Sequence, residues 1–115
     1  MGRRQAASLG VDIGGTKLLG LALDAWDQVV AEARAPTPAA PGALVGAVAS
    51  VLSQLVDQVE EPGPGGLPAG LGAPGLVDRR GVLHFAPNLA GAAGALDLAR
   101  ELGPRVGGLR IVVEN

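Results

Sequence analysis

The chain contains no cysteine and no tyrosine, and only one phenylalanine, one tryptophan, one histidine and one methionine. Without cysteine, disulfides and thiolate metal sites are excluded within these residues. With so few rings the core has to be aliphatic. A charge excess is missing too: nine Lys and Arg stand against eleven Asp and Glu, a formal net charge of −2, which gives no electrostatic reason to expect nucleic acid or an anionic membrane as partner. No apolar run approaches the roughly 20 residues that span a bilayer. The basic start "MGRR" leads to Asp12 and a Gly-Gly pair rather than to an apolar leader segment. These absences together predict a soluble, cytoplasmic protein with neither a nucleic-acid nor a membrane partner.

What is present bounds the architecture. At 115 residues and 48% hydrophobic content there is room and apolar surface for one small core, so residues 1–115 are expected to form a single lobe. "SLGVDI" (8–13) and "KLLGLALD" (17–24) are apolar runs separated by Gly14 and Gly15, and predict a strand, a tight turn and a second strand. "DAWD" (24–27) punctuates the chain before "QVVAEARA" (28–35), a third strand candidate, although that turn lacks glycine. After "PTPAAPG" the period changes. Leu44, Val48, Val51, Leu52, Leu55, Val56 and Val59 recur at spacings of three and four, which predicts an amphipathic helix over 41–60.

"LPAGLGAPG" (67–75) reads as a fourth strand running into a Gly-Pro-Gly loop, and "GVLHFAPN" (81–88) as an extended segment ending in a polar turn. A second helix is expected over 95–106, with Leu96, Ala99, Leu102 and Val106 on one face, and a final aliphatic strand over 109–115. The order βββαβ, extended segment, α, β predicts an α/β layer architecture in which a three-stranded antiparallel meander continues into a mixed sheet with helices packed on it. No helix follows the last strand, so one side of the domain is expected to lack a cover.

The chemistry concentrates at Asp12-Ile-Gly-Gly-Thr-Lys17. In a Walker loop the glycines lead through Lys-Ser/Thr into a helix whose amino terminus helps hold phosphate. Here a strand follows, so no helix dipole is available. A hairpin tip can still hold an anion: Gly14 and Gly15 permit close backbone approach with their amides outward, and Thr16 adds a hydroxyl donor. Lys17 offers a point charge. Asp12 repels phosphate by itself, which implies an intervening Mg²⁺ held directly or through its waters. The plain alternative is a structural hairpin in which Asp12 satisfies a turn amide.

"LGVDIGGTK" (9–17), "GLGAPGLVD" (70–78), "GVLHFAPNL" (81–89) and "IVVEN" (111–115) together resemble the ROK family of repressors, open reading frames and sugar kinases. Four blocks agree in order and spacing, and the resemblance runs from residue 8 onward. It implies an actin-like ATPase fold with a ribonuclease-H-like first lobe, ATP with Mg²⁺ bound between two lobes, and phosphoryl transfer to a hexose, as in glucokinases. By resemblance, Asp12, Gly14, Gly15 and Thr16 match the phosphate-binding turn, with Lys17 beside them. Gly75 and Leu76 fall in the loop that lines the sugar pocket, Asn88 lies near that pocket, and Asn115 matches an asparagine that hydrogen-bonds sugar hydroxyls. For Asn88, a turn-forming role after Pro87 is equally open.

The resemblance also marks what these residues omit. In family kinases the asparagine matched by Asn115 is followed by an aspartate, the general base for the attacking hydroxyl. That base, the histidine and cysteine zinc motif, and the second lobe through which family dimers form all lie beyond Asn115. Residues 1–115 alone are therefore expected to lack catalytic competence, to carry no structural zinc and to have no route to a homo-oligomer. His84 matches no family ligand. Asp24, Asp27, Asp57, Glu60, Glu61, Asp97 and Glu101 read as solvated charges, Asp78 as a turn former, and Trp26 as an exposed tip or a lid. Alternatives to the kinase lobe are a ROK-type transcriptional regulator or sugar-binding module, and a remnant without function of its own. Repressors of the family place a winged helix-turn-helix before the turn, and often a degenerate turn; seven residues precede Ser8 here, and the turn is intact.

Overall fold

A computed structural model of the chain describes residues 3–60, 66–72, 82–83, 96–107 and 109–114. Three strands open the fold: β1 (Ser8–Ile13), β2 (Lys17–Leu23) and β3 (Val29–Pro36). Their alternation decides the faces. Leu9, Val11 and Ile13 of β1 are buried, as are Leu18 and Ala22 of β2 and Ala31 and Ala33 of β3. The residues between them, including Ser8, Gly10, Asp12, Leu19 and Leu21, turn to the opposite face, as the two-residue period of a strand requires.

The helix α1 (Pro41–Gln58) lies on the first of these faces. Pro41 occupies its first turn, where a missing N–H costs nothing, and the entry residue Ala40 provides no side-chain cap. Leu44, Val48, Val51, Leu52 and Leu55 are fully buried, each contributing about 1.5–3 kcal/mol by leaving water. The helix sits so close to β2 that a Cβ at Gly20 would fall 2.5 Å from Val51 Cγ1 and 2.9 Å from Leu55 Cδ1. Glycine at that position sets the helix-to-sheet distance. α1 ends two residues short of the expected boundary, because Val59 leaves the helix to form a parallel bridge with Arg4, and the Glu60 amide donates to the Arg4 carbonyl at 2.9 Å. The Gln58 amide group donates to the Glu32 carbonyl at 3.1 Å and ties the end of α1 to β3.

β4 (Leu67–Gly72) pairs in parallel with β1, and β7 (Leu109–Glu114) in parallel with β4. The sheet order is β3-β2-β1-β4-β7. Two of its pairings are antiparallel and two parallel, which gives the mixed sheet that the sequence predicts. The connection through α1 returns the chain to the other side of β1, which places β1 at the centre.

Two short strands, β5 (Val82–Leu83) and β6 (Leu96–Asp97), pair antiparallel. β6 corrects the sequence expectation of a continuous helix over 95–106: its first residues pair with β5, and α2 is confined to Leu98–Leu102. Leu98, Leu102 and Val106 are buried. A strand partner outweighs helical periodicity there. At the β7 edge Val112 is 54% exposed, while Val113 is buried. No helix among the described residues is long and apolar enough to cross a membrane.

Candidate functional site

The turn between β1 and β2 is held by three hydrogen bonds. The Gly14 amide donates to the Lys17 carbonyl at 3.0 Å, closing the hairpin. From the far end of β3, the Thr37 hydroxyl donates to the Gly14 carbonyl at 2.8 Å and the Thr37 amide to the Thr16 carbonyl at 3.0 Å. Gly14 is required for space rather than for a left-handed backbone: a Cβ there would sit 2.8 Å from the Lys17 carbonyl oxygen, and neither turn glycine has a positive φ.

Two backbone donors are left over. Among the described residues, nothing accepts from the amides of Gly15 and Thr16, both of which are exposed. The Asp12 carboxylate, also exposed, accepts no hydrogen bond and has no ion-pair partner among the described residues. The plain hairpin alternative assigned Asp12 to a turn amide; the carboxylate makes no such bond. Thr37 secures the turn instead. The sequence marks Thr37 only as a hydroxyl between two prolines next to a strand end.

Asp12 lies opposite Leu19 on one side and Gly72 on the other. Gly72 lies against the Asp12 carboxylate, and a Cβ there would make an ordinary van der Waals contact with Asp12 Oδ1 at 3.9 Å. A shallow open depression of about 370 Å³ runs from there along the sheet, floored by Gly10 and Gly70 and walled by Leu19 and Leu21. Lys17 shares the face of Leu19 by alternation, and so the face of Asp12, and is exposed. Described residues thus bring together Asp12, Gly14, Gly15, Thr16 and Lys17 at one end of the sheet. No cluster of three or more His, Asp or Glu suited to a metal occurs among them, so any Mg²⁺ here would rest on Asp12, phosphate oxygens and water. Free amides, a hydroxyl, an ammonium and one unpartnered carboxylate form a donor set that fits a magnesium-bound polyphosphate. Gly75, Leu76, Asn88 and Asn115, with His84 and Asp78, lie outside the described residues.

The β2–β3 turn closes differently. Asp24 Oδ1 accepts from the amides of Trp26, at 2.8 Å, and Gln28, at 3.0 Å. Asp24 is therefore a turn former, which corrects its reading as a solvated charge. Asp27 adopts φ 61°, taking the left-handed position that glycine usually fills. Trp26 is 79% exposed at the tip.

Compared with known families, residues 8–115 match the one described as the ROK family. The chain belongs to that family. It is 36% identical over 109 residues to a glucokinase of Streptomyces coelicolor, an alignment covering 94% of this chain and 32% of that protein; a glucokinase of Streptomyces lividans matches equally. The chain spans about a third of the length of these curated relatives. Among solved structures, a ROK family glucokinase from Streptomyces griseus, in complex with glucose and AMPPNP, superposes with a TM-score of 0.80 at 30% identity, covering 94% of this chain and 32% of that one. An inorganic polyphosphate/ATP-glucomannokinase from Arthrobacter gives a TM-score of 0.78 at 32% identity, covering 96% and 44%. A more distant glucokinase from Parabacteroides distasonis, at 17% identity and a TM-score of 0.81, shares the fold. These neighbours are ROK sugar kinases of the actin-like ATPase fold, and this ROK chain has the same mixed sheet with helices.

Proposed function

We propose that residues 1–115 form the phosphate-holding lobe of a glucokinase-like enzyme that transfers phosphate from ATP to a hexose. The observation that carries this reading is the Asp12–Lys17 turn, whose two outward amides and unpartnered carboxylate stand in a chain similar to glucokinases. ATP with Mg²⁺, when bound, supplies the phosphoryl group and neutralises the charge that develops on it. The amides of Gly15 and Thr16 and the Thr16 hydroxyl hold phosphate oxygens; Lys17 adds a point charge; Asp12 holds the cation directly or through water.

Gly75, Leu76, Asn88 and Asn115 supply part of the hexose side, where an amide that both donates and accepts suits a polyol. A neutral hydroxyl is a poor nucleophile and needs a general base, which the family pattern places at the position after Asn115. Residues 1–115 by themselves therefore bind without transferring. An intact turn favours this reading over a ROK-type regulator.

Reading the coding frame past Asn115 tests the proposal. A frame that continues with Asp and a second lobe should encode a protein that releases ADP in a glucose-dependent manner. If a stop follows directly, the chain should bind Mg-ATP or glucose and transfer nothing. Glucose phosphorylation by purified residues 1–115, at a rate near that of intact sugar kinases and with host kinase excluded, would falsify the assignment of the base.

A further inference from the structure

We infer that Thr37 is a positioning residue for phosphate binding at the Asp12–Lys17 turn, a role that rests on the phosphate reading proposed above. Thr37 lies 23 residues beyond Gly14 and holds both of the turn's carbonyls that have partners outside the turn: Gly14 through its hydroxyl, Thr16 through its amide. An anion is repelled by carbonyl oxygens and attracted by amide hydrogens, so the direction of each peptide plane decides whether the turn binds or rejects it. The peptide is planar and trans, and no cis bond occurs among the described residues, so the Gly15 N–H points opposite to the Gly14 carbonyl. By engaging that carbonyl, Thr37 aims the Gly15 amide away from itself and into solvent.

The residue is built to hold its place. It stands between Pro36 and Pro38, whose rings fix their own φ near −65°. Each proline also confines the residue before it, Ala35 and Thr37, to extended backbone. Thr37 is half-buried, and its hydroxyl is spent on Gly14 rather than on solvent. A strut of this kind pre-orders the donors before any ligand arrives, which removes an ordering cost from binding. Strand pairing alone would not do this, since the hairpin's own bond, from Gly14 to Lys17, leaves the Gly14 carbonyl free to rotate.

The test is ligand titration of the full 115-residue chain with Mg-ATP and, separately, with inorganic tripolyphosphate, following the Gly15 and Thr16 amide resonances by nuclear magnetic resonance. Thr37→Val keeps the shape and deletes the hydroxyl; Thr37→Ser keeps the hydroxyl. Loss of one hydrogen bond should weaken phosphate binding about tenfold in Thr37→Val. Thr37→Ser should bind within about twofold of the wild type, the hydroxyl being retained. The thermal midpoints should stay close together. Should Thr37→Val fail to fold, Thr37→Ala takes its place with the same expected loss. A folded Thr37→Val that binds as tightly as the wild type overturns the inference and leaves the phosphate reading standing, as does a Thr37→Ser that binds as weakly as Thr37→Val. Wild-type turn amides that respond to neither ligand overturn the phosphate reading, and the role of Thr37 with it.

Discussion

Two turns of one meander use the same residue type in opposite ways. At the β2–β3 turn, Asp24 folds its carboxylate back onto the amides of Trp26 and Gln28, so the turn uses its acidic side chain on its own backbone. At the β1–β2 turn, Asp12 stays on the sheet face without a partner, and the amides of Gly15 and Thr16 stay open. The first turn closes on its own carboxylate, and among the described residues only its Ala25 amide is left without an acceptor. The second borrows its rigidity from Thr37, across the sheet, and keeps its own groups for a ligand. The lesson is that an acidic residue beside a turn is informative only once its hydrogen bonds are known.

The contrast can be broken at three points, taken from the largest expected effect to the smallest. In the intact enzyme, Asp12→Ala should lower kcat about 100-fold or more while leaving the glucose KM nearly unchanged, because the residue acts on cation and phosphate. An equal loss of glucose affinity would contradict that division. Gly14→Ala forces a Cβ against the Lys17 carbonyl oxygen, and should cost about 1–3 kcal/mol in urea unfolding as strained backbone substitutions do. The same variant should silence the Gly15 and Thr16 amides toward Mg-ATP. Stability equal to wild type would show that the turn opens freely. Asp24→Ala, by contrast, should cost only about 1 kcal/mol of stability, the loss of an exposed turn cap. Its phosphate binding should be unchanged. Weakened binding in that variant would mean that the two turns are coupled and that the contrast between them is wrong.

Much of this was legible in local pattern. Alternating apolar residues predicted β1 at the boundaries observed and β2 to within one residue, and spacings of three and four predicted α1. Leu96, Ala99 and Leu102 satisfy a helical period, yet β5 offers the backbone of Leu96 and Asp97 a strand partner from outside that stretch, so α2 begins only at Leu98. The Asp24 turn was undercalled for a related reason. Lacking glycine, it looked like a weak hairpin, yet a side-chain cap and a left-handed Asp27 close it. Thr37 was missed altogether, since a hydroxyl between two prolines carries no signature of the turn it holds.

By itself the sequence determined the order of elements from β1 to β4, the aliphatic core and the composition of the Asp12–Lys17 turn, because these rest on periodicity and on contacts within a few residues. Tertiary structure alone decided that β4 returns beside β1 to place Gly72 against Asp12, that Gly20 sets the distance of α1 from the sheet, and that Thr37 holds the turn. Each of these joins atoms far apart in the chain. The physical reason is that a parallel pairing, a close packing distance and a cross-sheet hydrogen bond are set by through-space geometry, which local pattern constrains only after the chain has closed on itself.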